Sequence, residues 1–369
     1  MAGIYVHIPF CKQACHYCNF HFATSLRNKN ELVAALLKET ELRREYFGNE
    51  LVETIYFGGG TPSLLPIEDV RLLIKKIKSV LHVAADAEVT LEANPDDITE
   101  EKLVGWKDGG INRLSIGIQS FFDDDLKWMN RAHNSGQAAA SLESAARHFD
   151  NITIDLIYGT PGLTHEKWKQ NVDRAIQLNI PHLSCYALTV ESKTPLQKMI
   201  TLGTMQDVDP DKQSEQFLLL MQWLQEAGYE HYEISNFAKP GFRSRHNSSY
   251  WQAKKYLGLG PSAHSFDGNS RQWNVSNNTT YSESIKNLIL PFEKEELTAT
   301  QKTNEHIMTA LRTMEGLDLD TVDKEVSGKL IMQTKKFIDR GLLIRKNNSL
   351  LLTKEGKLLA DGIAADLFF

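Results

Sequence analysis

Short runs rich in β-branched and aromatic residues alternate, over the first half of the chain, with stretches whose apolar residues recur at helical spacing. The runs that predict strands are IYVHI (4–8), TIYFG (54–58), EVTLE (88–92), RLSIGI (113–118), ITIDLIY (152–158) and HLSCYAL (182–188). Helices are predicted between them, as at 30–47 and at 163–178, where Thr164 can cap the first turn. Six strand–helix units in succession predict an α/β fold with a parallel sheet and right-handed crossovers.

The sheet is expected to form an open, partial (β/α)6 barrel of the TIM-like type. Six units are evident, whereas a closed barrel of this type needs eight. A further run, YEHYEIS (229–235), is placed less regularly along the chain. The predicted barrel domain therefore spans residues 1–235.

The rest of the chain has a different character. Residues 236–297 are rich in Gly, Ser, Asn and aromatic residues without a clean period, which predicts an ordered, loop-rich extension. Residues 298–369 predict a small domain with helices at 300–314, near 319–326 and at 328–340. Two strands joined at 347–349 and a last helix follow, an order that resembles a winged helix. Since this domain has 11 Lys and Arg against 10 Asp and Glu, a packing or partner-docking module is expected rather than a DNA reader.

Composition narrows the class of protein. The chain of 369 residues is 41% hydrophobic and 24% charged, which is ordinary for a globular protein. Its longest apolar run, FLLLM (217–221), is too short to span a bilayer, and the first residues do not resemble a signal peptide, so a cytoplasmic location is expected. A net charge of −6 predicts no binding to nucleic acid. Of the four cysteines, Cys185 lies in a predicted strand and is expected in the core.

The other three cysteines, Cys11, Cys15 and Cys18, fall within eight positions in the loop after the first predicted strand. Thiolates suit iron–sulfur clusters, zinc and copper. The spacing C-x3-C-x2-C lets one short segment bind three irons of a four-iron cluster and leave the fourth iron open. The alternative is a zinc site in which His16 or His21 is the fourth ligand, although zinc knuckles favour other spacings.

Further candidate residues lie at the carboxyl ends of the predicted strands, the face on which parallel barrels build their active sites. GGGTP (58–62) follows the second strand, and its glycines would let a ligand approach the backbone, although a triple glycine is often only a tight turn. Glu92, Gln119 and Asp155 lie on the third, fourth and fifth strands. Either carboxylate could instead be a hydrogen-bonded acid of the core.

Taken together, these motifs resemble the HemN/HemW branch of the radical SAM superfamily, over nearly the whole chain. The resemblance is carried by IYVHIPFCKQACHYCNF, IYFGGGTPSLL, LEANPDD, RLSIGIQSF, NRAH and IDLIYGTPG. It implies a partial barrel of the radical SAM type with a small C-terminal domain. It also implies a [4Fe–4S] cluster on Cys11, Cys15 and Cys18, with S-adenosylmethionine (SAM) bound at the open iron.

The resemblance further implies roles for single residues. It implies that Tyr5 packs by the cluster and SAM, and that the SAM-binding residues are Gly59, Gly60, Thr61, Glu92, Gln119, Arg131 and Asp155. Considered without the resemblance, Arg131 could equally be a surface side chain.

Two differences separate the heme-chaperone members of this branch from its oxygen-independent coproporphyrinogen III dehydrogenases. The dehydrogenase pattern has a further cysteine where this chain has Phe20, and it has an N-terminal extension, whereas the first strand here is predicted from Ile4. HNSSYW also fits the H-N-x-x-Y-W motif linked to heme, which implies His246 as a heme ligand with Tyr250 and Trp251 beside the macrocycle. The alternative is a loop histidine with structural hydrogen bonds.

Two functions of different classes are therefore expected. The first is a heme chaperone that binds the cluster, SAM and heme and delivers heme to membrane respiratory proteins, with a reductase or a flavodoxin-type protein as electron donor. The second is a coproporphyrinogen III dehydrogenase, in which a 5′-deoxyadenosyl radical starts the oxidative decarboxylation of porphyrinogen propionates. A radical SAM enzyme acting on an unrelated substrate is a third possibility. The sequence leaves the oligomeric state open, although bridging heme or exposed aromatic residues could pair subunits.

Overall fold

The computed structural model describes residues 2–369, so that Met1, part of the predicted barrel domain, lies outside the described residues. The strands are β1 (Ala2–Ile8), β2 (Val52–Gly59), β3 (Val83–Ala93), β4 (Arg113–Gln119), β5 (Ile152–Tyr158), β6 (His182–Ala187), β7 (Glu230–Glu233), β8 (Asn236–Ala238), β9 (Lys255–Leu259), β10 (His264–Phe266), β11 (Ser270–Asn274), β12 (Phe292–Glu296), β13 (Leu317–Asp318), β14 (Leu343–Lys346) and β15 (Ser349–Leu352). The helices are α1 (Lys29–Leu42), α2 (Ile67–Val80), α3 (Glu100–Asp108), α4 (Asp123–Trp128), α5 (Ser135–His148), α6 (His165–Gln177), α7 (Pro195–Thr201), α8 (Pro210–Glu226), α9 (Arg245–Trp251), α10 (Asn278–Lys286), α11 (Ala299–Leu311), α12 (Lys324–Asp339), α13 (Lys354–Lys357) and α14 (Ala360–Asp366).

Strands β1 to β6 are parallel neighbours in chain order, with helices in the connections between them. They form the middle of one twelve-stranded sheet, whose order is β12-β11-β10-β9-β1-β2-β3-β4-β5-β6-β8-β7. The sheet ends at β12 and β7, which do not pair with each other, so the described chain forms an open structure. The predicted α/β partial barrel is confirmed.

Along the central strands, residues alternate between two sides of the sheet: one side packs in the hydrophobic core, and the other faces the more polar inside of the partial barrel. On β4, Leu114, Ile116 and Ile118 are buried in the main hydrophobic core, while Ser115 and Gly117 point to the opposite side. The helices cover the apolar side, as parallel sheets require. Cys185 on β6 is part of the same core, which confirms its expected packing role.

Helix α6 shows how local sequence sets these elements. The side chain of Thr164 accepts a hydrogen bond from the backbone N–H of Lys167 at 3.2 Å, which confirms the predicted cap. Trp168, Val172 and Ala175 then follow at intervals of four and three residues, and all three are fully buried. The helix therefore presents one apolar stripe to the sheet.

Residues 236–297, predicted to be loop-rich, add several strands to this sheet. β9 pairs with β1 in parallel, and β10, β11 and β12 continue outwards from it as antiparallel strands. On the other side, β8 and β7 extend the sheet antiparallel to β6. These strands have three to five residues each, too few for a recognisable period, and the residues of β12 are all exposed. The three-part division of the chain itself stays a prediction.

A buried carboxylate joins α1 to this added part. Glu39 is fully buried and accepts hydrogen bonds from Gly260 N–H (2.8 Å), Tyr281 OH (2.5 Å) and Asn274 Nδ2 (2.8 Å). The buried guanidinium of Arg43 lies one turn further along the helix, 3.7 Å from Glu39. One side chain therefore connects α1, β9, β11 and α10.

The last part of the chain has its own small core and a three-stranded sheet in the order β13-β15-β14. Core residues include Leu311, Leu330 and Leu350. The hairpin between β14 and β15 turns at Asn347, whose φ of 54° is in the left-handed region that asparagine tolerates. A winged-helix-like arrangement at the C-terminus accordingly forms part of the fold.

The helix expected near 319–326 is not formed, and this prediction was wrong. The segment directly follows β13 and contains a 3-10 turn at Leu319–Thr321 and the start of α12. The side chain of Asp318 accepts from Asp320 N–H (3.0 Å), and that of Asp323 accepts from Glu325 N–H (2.9 Å). Because each aspartate caps a separate turn, the chain is interrupted between them and α12 begins only at Lys324.

The C-terminal part contacts the large sheet near α9. Met314 N–H donates to Tyr232 O at 3.0 Å, and the guanidinium of Arg312 lies 5.4 Å from the ring centre of Trp251. Trp251 and its neighbour Tyr250 are only partly exposed. Among the helices of residues 2–369, none combines the length and the apolar character needed to cross a bilayer.

Candidate functional site

The loop after β1 holds three cysteines at the carboxyl end of the sheet. Cys11 N–H donates to Ala23 O (3.0 Å) and Ala23 N–H donates to Pro9 O (2.9 Å), so the two ends of the loop are tied together. Between them, Cys18 N–H donates to Cys15 O at 3.3 Å. All three cysteines are free thiols and partly buried. Backbone hydrogen bonds therefore close the loop that contains the three cysteines.

The same loop is fastened to the segment at the end of α4. Gln13 Nε2 donates to Asn130 O (3.2 Å), and Asn130 Nδ2 donates to Ala14 O (2.7 Å). The imidazole Nδ1 of His16 lies 2.9 Å from Trp128 O. These contacts join parts of the chain more than a hundred residues apart, so the positions of the cysteines depend on the folded barrel.

Two side chains donate hydrogen bonds to the cysteine sulfurs. Thr61 Oγ1 is 3.6 Å from Cys11 Sγ, and Arg131 Nη1 is 3.4 Å from Cys15 Sγ. Burial raises the pKa of the Cys11 thiol to about 11. Since a thiol binds metal as the thiolate, these donors and a bound cation would stabilise the charge that burial disfavours.

The zinc alternative receives no support from the two candidate histidines. The Nε2 atom of His21 lies 2.8 Å from Asn278 Oδ1, and His16 is engaged with Trp128. In the described chain, no three His, Cys, Asp or Glu side chains are grouped around a point where a single metal ion could bind. A cluster places its ligand sulfurs further apart, because each binds a different iron. Cys11, Cys15 and Cys18 all line one cavity, as cluster binding would require.

A cavity of about 500 Å³ lies between the cysteine loop and the carboxyl ends of the parallel strands. The structure brings nearly all predicted site residues together on its wall. These are Cys11, Cys15, Cys18, Gly59, Gly60, Thr61, Glu92, Gln119, Arg131 and Asp155. Tyr5 and His246 lie outside it.

Two carboxylates face this cavity. Glu92 accepts from Tyr56 OH (2.8 Å) and from Gly59 N–H (3.2 Å), and burial raises its pKa to about 7. Burial likewise raises the pKa of Asp155 to about 6. A cationic ligand beside them would offset this desolvation. SAM carries a sulfonium and an ammonium group, so the chemistry of this wall fits it.

Arg131 is the cation on the opposite part of the wall. Its Nη2 donates to Asn94 Oδ1 (2.7 Å) and to Gly117 O (2.9 Å). Its Nε is buried and has no hydrogen-bond partner within residues 2–369. Because its guanidinium lines the cavity, Arg131 could pair with a ligand carboxylate there. Arg131 is accordingly not a surface side chain.

Two residues of the wall have backbone conformations that other residues rarely adopt. Gln119 has a φ of 65° at the end of β4, where the register with β5 shifts. This conformation costs an ordinary residue about 1–2 kcal/mol, so the surrounding structure must hold Gln119 in it. Gly59 has a φ of 111°, and a Cβ there would lie 2.6 Å from the His7 ring. Glycine is therefore required at this position.

Tyr5 lies below the cavity, in contact with residues that support its wall. Its hydroxyl is 3.2 Å from His7 Nδ1, and its ring stacks on Tyr56 with 6.1 Å between ring centres. Since Tyr56 donates to Glu92, Tyr5 is placed to support the carboxylate from behind. Its direct contact with SAM stays a prediction.

His246 lies on α9 and is only 1% exposed. Its Nδ1 is 2.8 Å from Thr54 Oγ1, its Nε2 is 2.9 Å from Tyr250 OH, and its ring stacks on Tyr56 with 5.0 Å between centres. Burial lowers its pKa to about 3. Both ring nitrogens are engaged, which favours the structural alternative. Heme ligation by His246 stays a prediction.

Several residues of the cavity wall were not predicted. They are Tyr17, Phe20, Phe22, Asn94, Ser115 and Tyr186. Asn94 directly follows the last residue of β3, so the rule that selected Glu92 could also have selected it. The aromatic residues carried no signal, because aromatic residues in a loop or at a strand end usually pack in the core.

Comparison with known proteins agrees with this geometry. The sequence model of the radical SAM superfamily matches residues 5–175. The chain is 35% identical to the heme chaperone HemW of Mycobacterium tuberculosis (strain ATCC 25618 / H37Rv), over 99% of this chain and 94% of that protein. It is 33% identical to the heme chaperone HemW of Bacillus subtilis (strain 168), over 98% of each. Among solved structures, the coproporphyrinogen III oxidase HemN of Escherichia coli, a radical SAM enzyme, has a TM-score of 0.85 at 22% identity, over 100% of this chain and 90% of that one.

Proposed function

The chain belongs to the HemN/HemW branch of the radical SAM superfamily, and from this premise we propose that it is a heme chaperone of the HemW type. It binds a [4Fe–4S] cluster, SAM and heme, and it delivers heme to respiratory proteins. The single observation that carries cluster and SAM binding is the convergence of three cysteines, two buried carboxylates and Arg131 on one cavity. The chain is similar over its full length to proteins named heme chaperone HemW, and this similarity supports the chaperone function.

In this proposal Cys11, Cys15 and Cys18 would hold the cluster through three of its four irons. The cluster would supply electrons and a binding point for SAM when it is present. Glu92 and Asp155 would bind the cationic part of SAM, and Arg131 its carboxylate. The rest of the cofactor site would be lined by Gly59, Gly60, Thr61 and Gln119, which lie on the same cavity wall.

Heme is proposed to bind at the rim of the cavity. Phe20, which lines the rim, is 68% exposed, and part of the Tyr186 ring is also accessible. Flat aromatic surfaces of this kind can stack on a tetrapyrrole. The proposed partners are thus heme, a reductase or flavodoxin-type electron donor, and membrane respiratory heme proteins, with the chaperone acting in the cytoplasm.

The second candidate function is a coproporphyrinogen III dehydrogenase. The observation that favours it is the cavity wall, because it contains Glu92, Gln119 and Asp155, the residues proposed to bind SAM. Phe20 argues against it, because the dehydrogenase pattern has a cysteine there. A phenylalanine can supply neither a thiolate ligand nor a proton.

We expect reconstituted protein to bind hemin but to form no protoporphyrinogen IX. Anaerobic protein is incubated with SAM, dithionite and coproporphyrinogen III, and the porphyrins are separated and quantified after oxidation. The product should stay at the level given by a Cys15→Ala variant, while hemin added to the wild type shifts the Soret band. Accumulation of protoporphyrinogen IX over many turnovers would defeat the chaperone function in favour of the enzyme.

We also expect the hemin Soret band to keep its position and amplitude in His246→Gln. The glutamine retains hydrogen-bonding atoms toward Thr54 and Tyr250, so α9 should remain folded. His264→Gln, at an exposed histidine, serves as the matched control. Loss of the band in His246→Gln alone would assign the iron ligand to His246 and would require α9 to open when heme binds.

A further inference from the structure

Asn94 connects the two side chains that donate to cysteine sulfurs. It is the first residue after β3, and its side chain lines the cavity. Asn94 Oδ1 accepts from Arg131 Nη2 at 2.7 Å, and Asn94 Nδ2 donates to Thr61 Oγ1 at 3.4 Å. A single amide therefore contacts an arginine on one side and a threonine on the other.

Each of these neighbours continues to a different sulfur. Arg131 Nη1 is 3.4 Å from Cys15 Sγ, and Thr61 Oγ1 is 3.6 Å from Cys11 Sγ. The hydrogen bonds form an unbroken chain from Cys15 through Arg131, Asn94 and Thr61 to Cys11. This chain bridges two of the three sulfurs of the loop.

We propose that Asn94 is a positioning residue that holds Arg131 and Thr61 as hydrogen-bond donors to the cluster ligands and thereby raises the reduction potential of the cluster. The inference rests on the proposed function, in which the cluster is bound. Donors to the sulfurs stabilise the more negative, reduced state of a cluster, and residues behind the ligands tune its potential.

The alternative role of Asn94 is that of a turn residue before Pro95. Such a role uses its backbone, and the backbone N–H does donate to Ser63 Oγ at 3.3 Å. An asparagine that acts as a turn residue accepts a hydrogen bond with its side-chain oxygen from a backbone N–H that follows it, and the side chain of Asn94 makes no such hydrogen bond to the turn Pro95–Asp97. The observed amide instead makes one contact as acceptor and one as donor, which leucine cannot replace. The reduction potential of the cluster distinguishes the two roles. If Asn94 is only a turn residue, replacing its side chain should leave that potential unchanged.

The test is a redox titration of reconstituted wild type and Asn94→Leu, followed by electron paramagnetic resonance. In the titration dithionite splits into two SO2 radical anions, each of which gives one electron to a cluster and ends as sulfite, while no covalent bond of the protein changes. Iron and sulfide content is measured first, to establish equal loading. We expect the equilibrium constant for reduction to fall about tenfold in Asn94→Leu, which is a midpoint about 59 mV more negative for a one-electron couple.

Two further variants make the result specific. Asn287→Leu removes an exposed asparagine whose side-chain amide donates to Glu283 O at 3.0 Å, and its midpoint should equal that of the wild type. Thr61→Val removes only the donor to Cys11 and should lower the midpoint by less than Asn94→Leu. Combined with Asn94→Leu, it should add little, because the two substitutions interrupt the same chain.

A fully loaded Asn94→Leu with the wild-type midpoint overturns the positioning role and leaves the proposed function intact. Wild-type protein that takes up no iron overturns the proposed function, and this inference with it. If Asn94→Leu does not retain a cluster, the reduction midpoint of Thr61→Val decides whether the chain of hydrogen-bond donors raises the potential. A lowered midpoint there supports the chain of donors, and an unchanged one overturns it.

Discussion

Replacing Cys15 with alanine should abolish formation of a stable iron–sulfur cluster. Wild-type protein reconstituted without oxygen is expected to take up about four iron atoms and the matching sulfide per chain. Cys15→Ala should retain at least about tenfold less iron than the wild type. Loss of a residue behind a metal ligand typically lowers metal affinity by about tenfold or more, and loss of a direct ligand should lower it further. Iron and sulfide analysis, together with the brown absorption of the cluster, measures this directly.

Cys185→Ala is the matched control for the cysteine variants. Cys185 is buried in the main core and away from the cavity wall, so the variant should load iron as the wild type does. SAM binding, measured by equilibrium dialysis of loaded protein, should be lost with the cluster in Cys15→Ala only. A zinc ion in place of iron in the wild type, or an intact cluster in Cys15→Ala, would contradict the proposed centre.

Replacing Glu39 with leucine should cost about 3–5 kcal/mol of unfolding free energy, because it removes one partner of a buried ion pair. The buried Arg43 would lose its counter-charge, and Gly260 N–H, Tyr281 OH and Asn274 Nδ2 would lose their acceptor. Equilibrium unfolding in urea, followed by tryptophan fluorescence, should show a lower midpoint.

Glu45→Leu provides the matched control, since Glu45 lies shortly after α1 with its side chain 89% exposed. Its unfolding midpoint should stay close to that of the wild type. Adding Arg43→Leu to Glu39→Leu should recover part of the loss, because a buried pair replaced on both sides leaves no unpaired charge. Equal midpoints for Glu39→Leu and Glu45→Leu would show that this junction contributes little to stability.

The H-N-x-x-Y-W motif shows how a resemblance and a geometry can point to different roles. The motif implied a heme ligand at His246, yet the structure encloses this imidazole between Thr54, Tyr56 and Tyr250. Two exposed aromatic residues, Phe20 and Tyr186, line the cavity instead. If heme binds at the rim, α9 can keep its hydrogen bonds while heme is taken up and released.

Much of the fold could be predicted because its signals are local. The apolar alternation at 113–118 corresponds to β4, and Thr164 caps α6 as its position before an amphipathic stretch indicated. The strands of residues 236–297 gave no comparable signal. β9 has only five residues and is placed by pairing with β1, more than 245 residues earlier in the chain, so its conformation depends on a partner that no local window contains.

The sequence by itself determined the chemistry of the site: three thiols at a fixed spacing in one loop, and acids at strand ends, where parallel strands bring their residues together. Only the tertiary structure decided which neighbours face those groups. It placed Asn94 between Arg131 and Thr61, and it buried the side chain of His246 inside the protein. Covalent spacing dictates what a short segment can bind, whereas hydrogen bonds between distant segments exist only after the chain has folded.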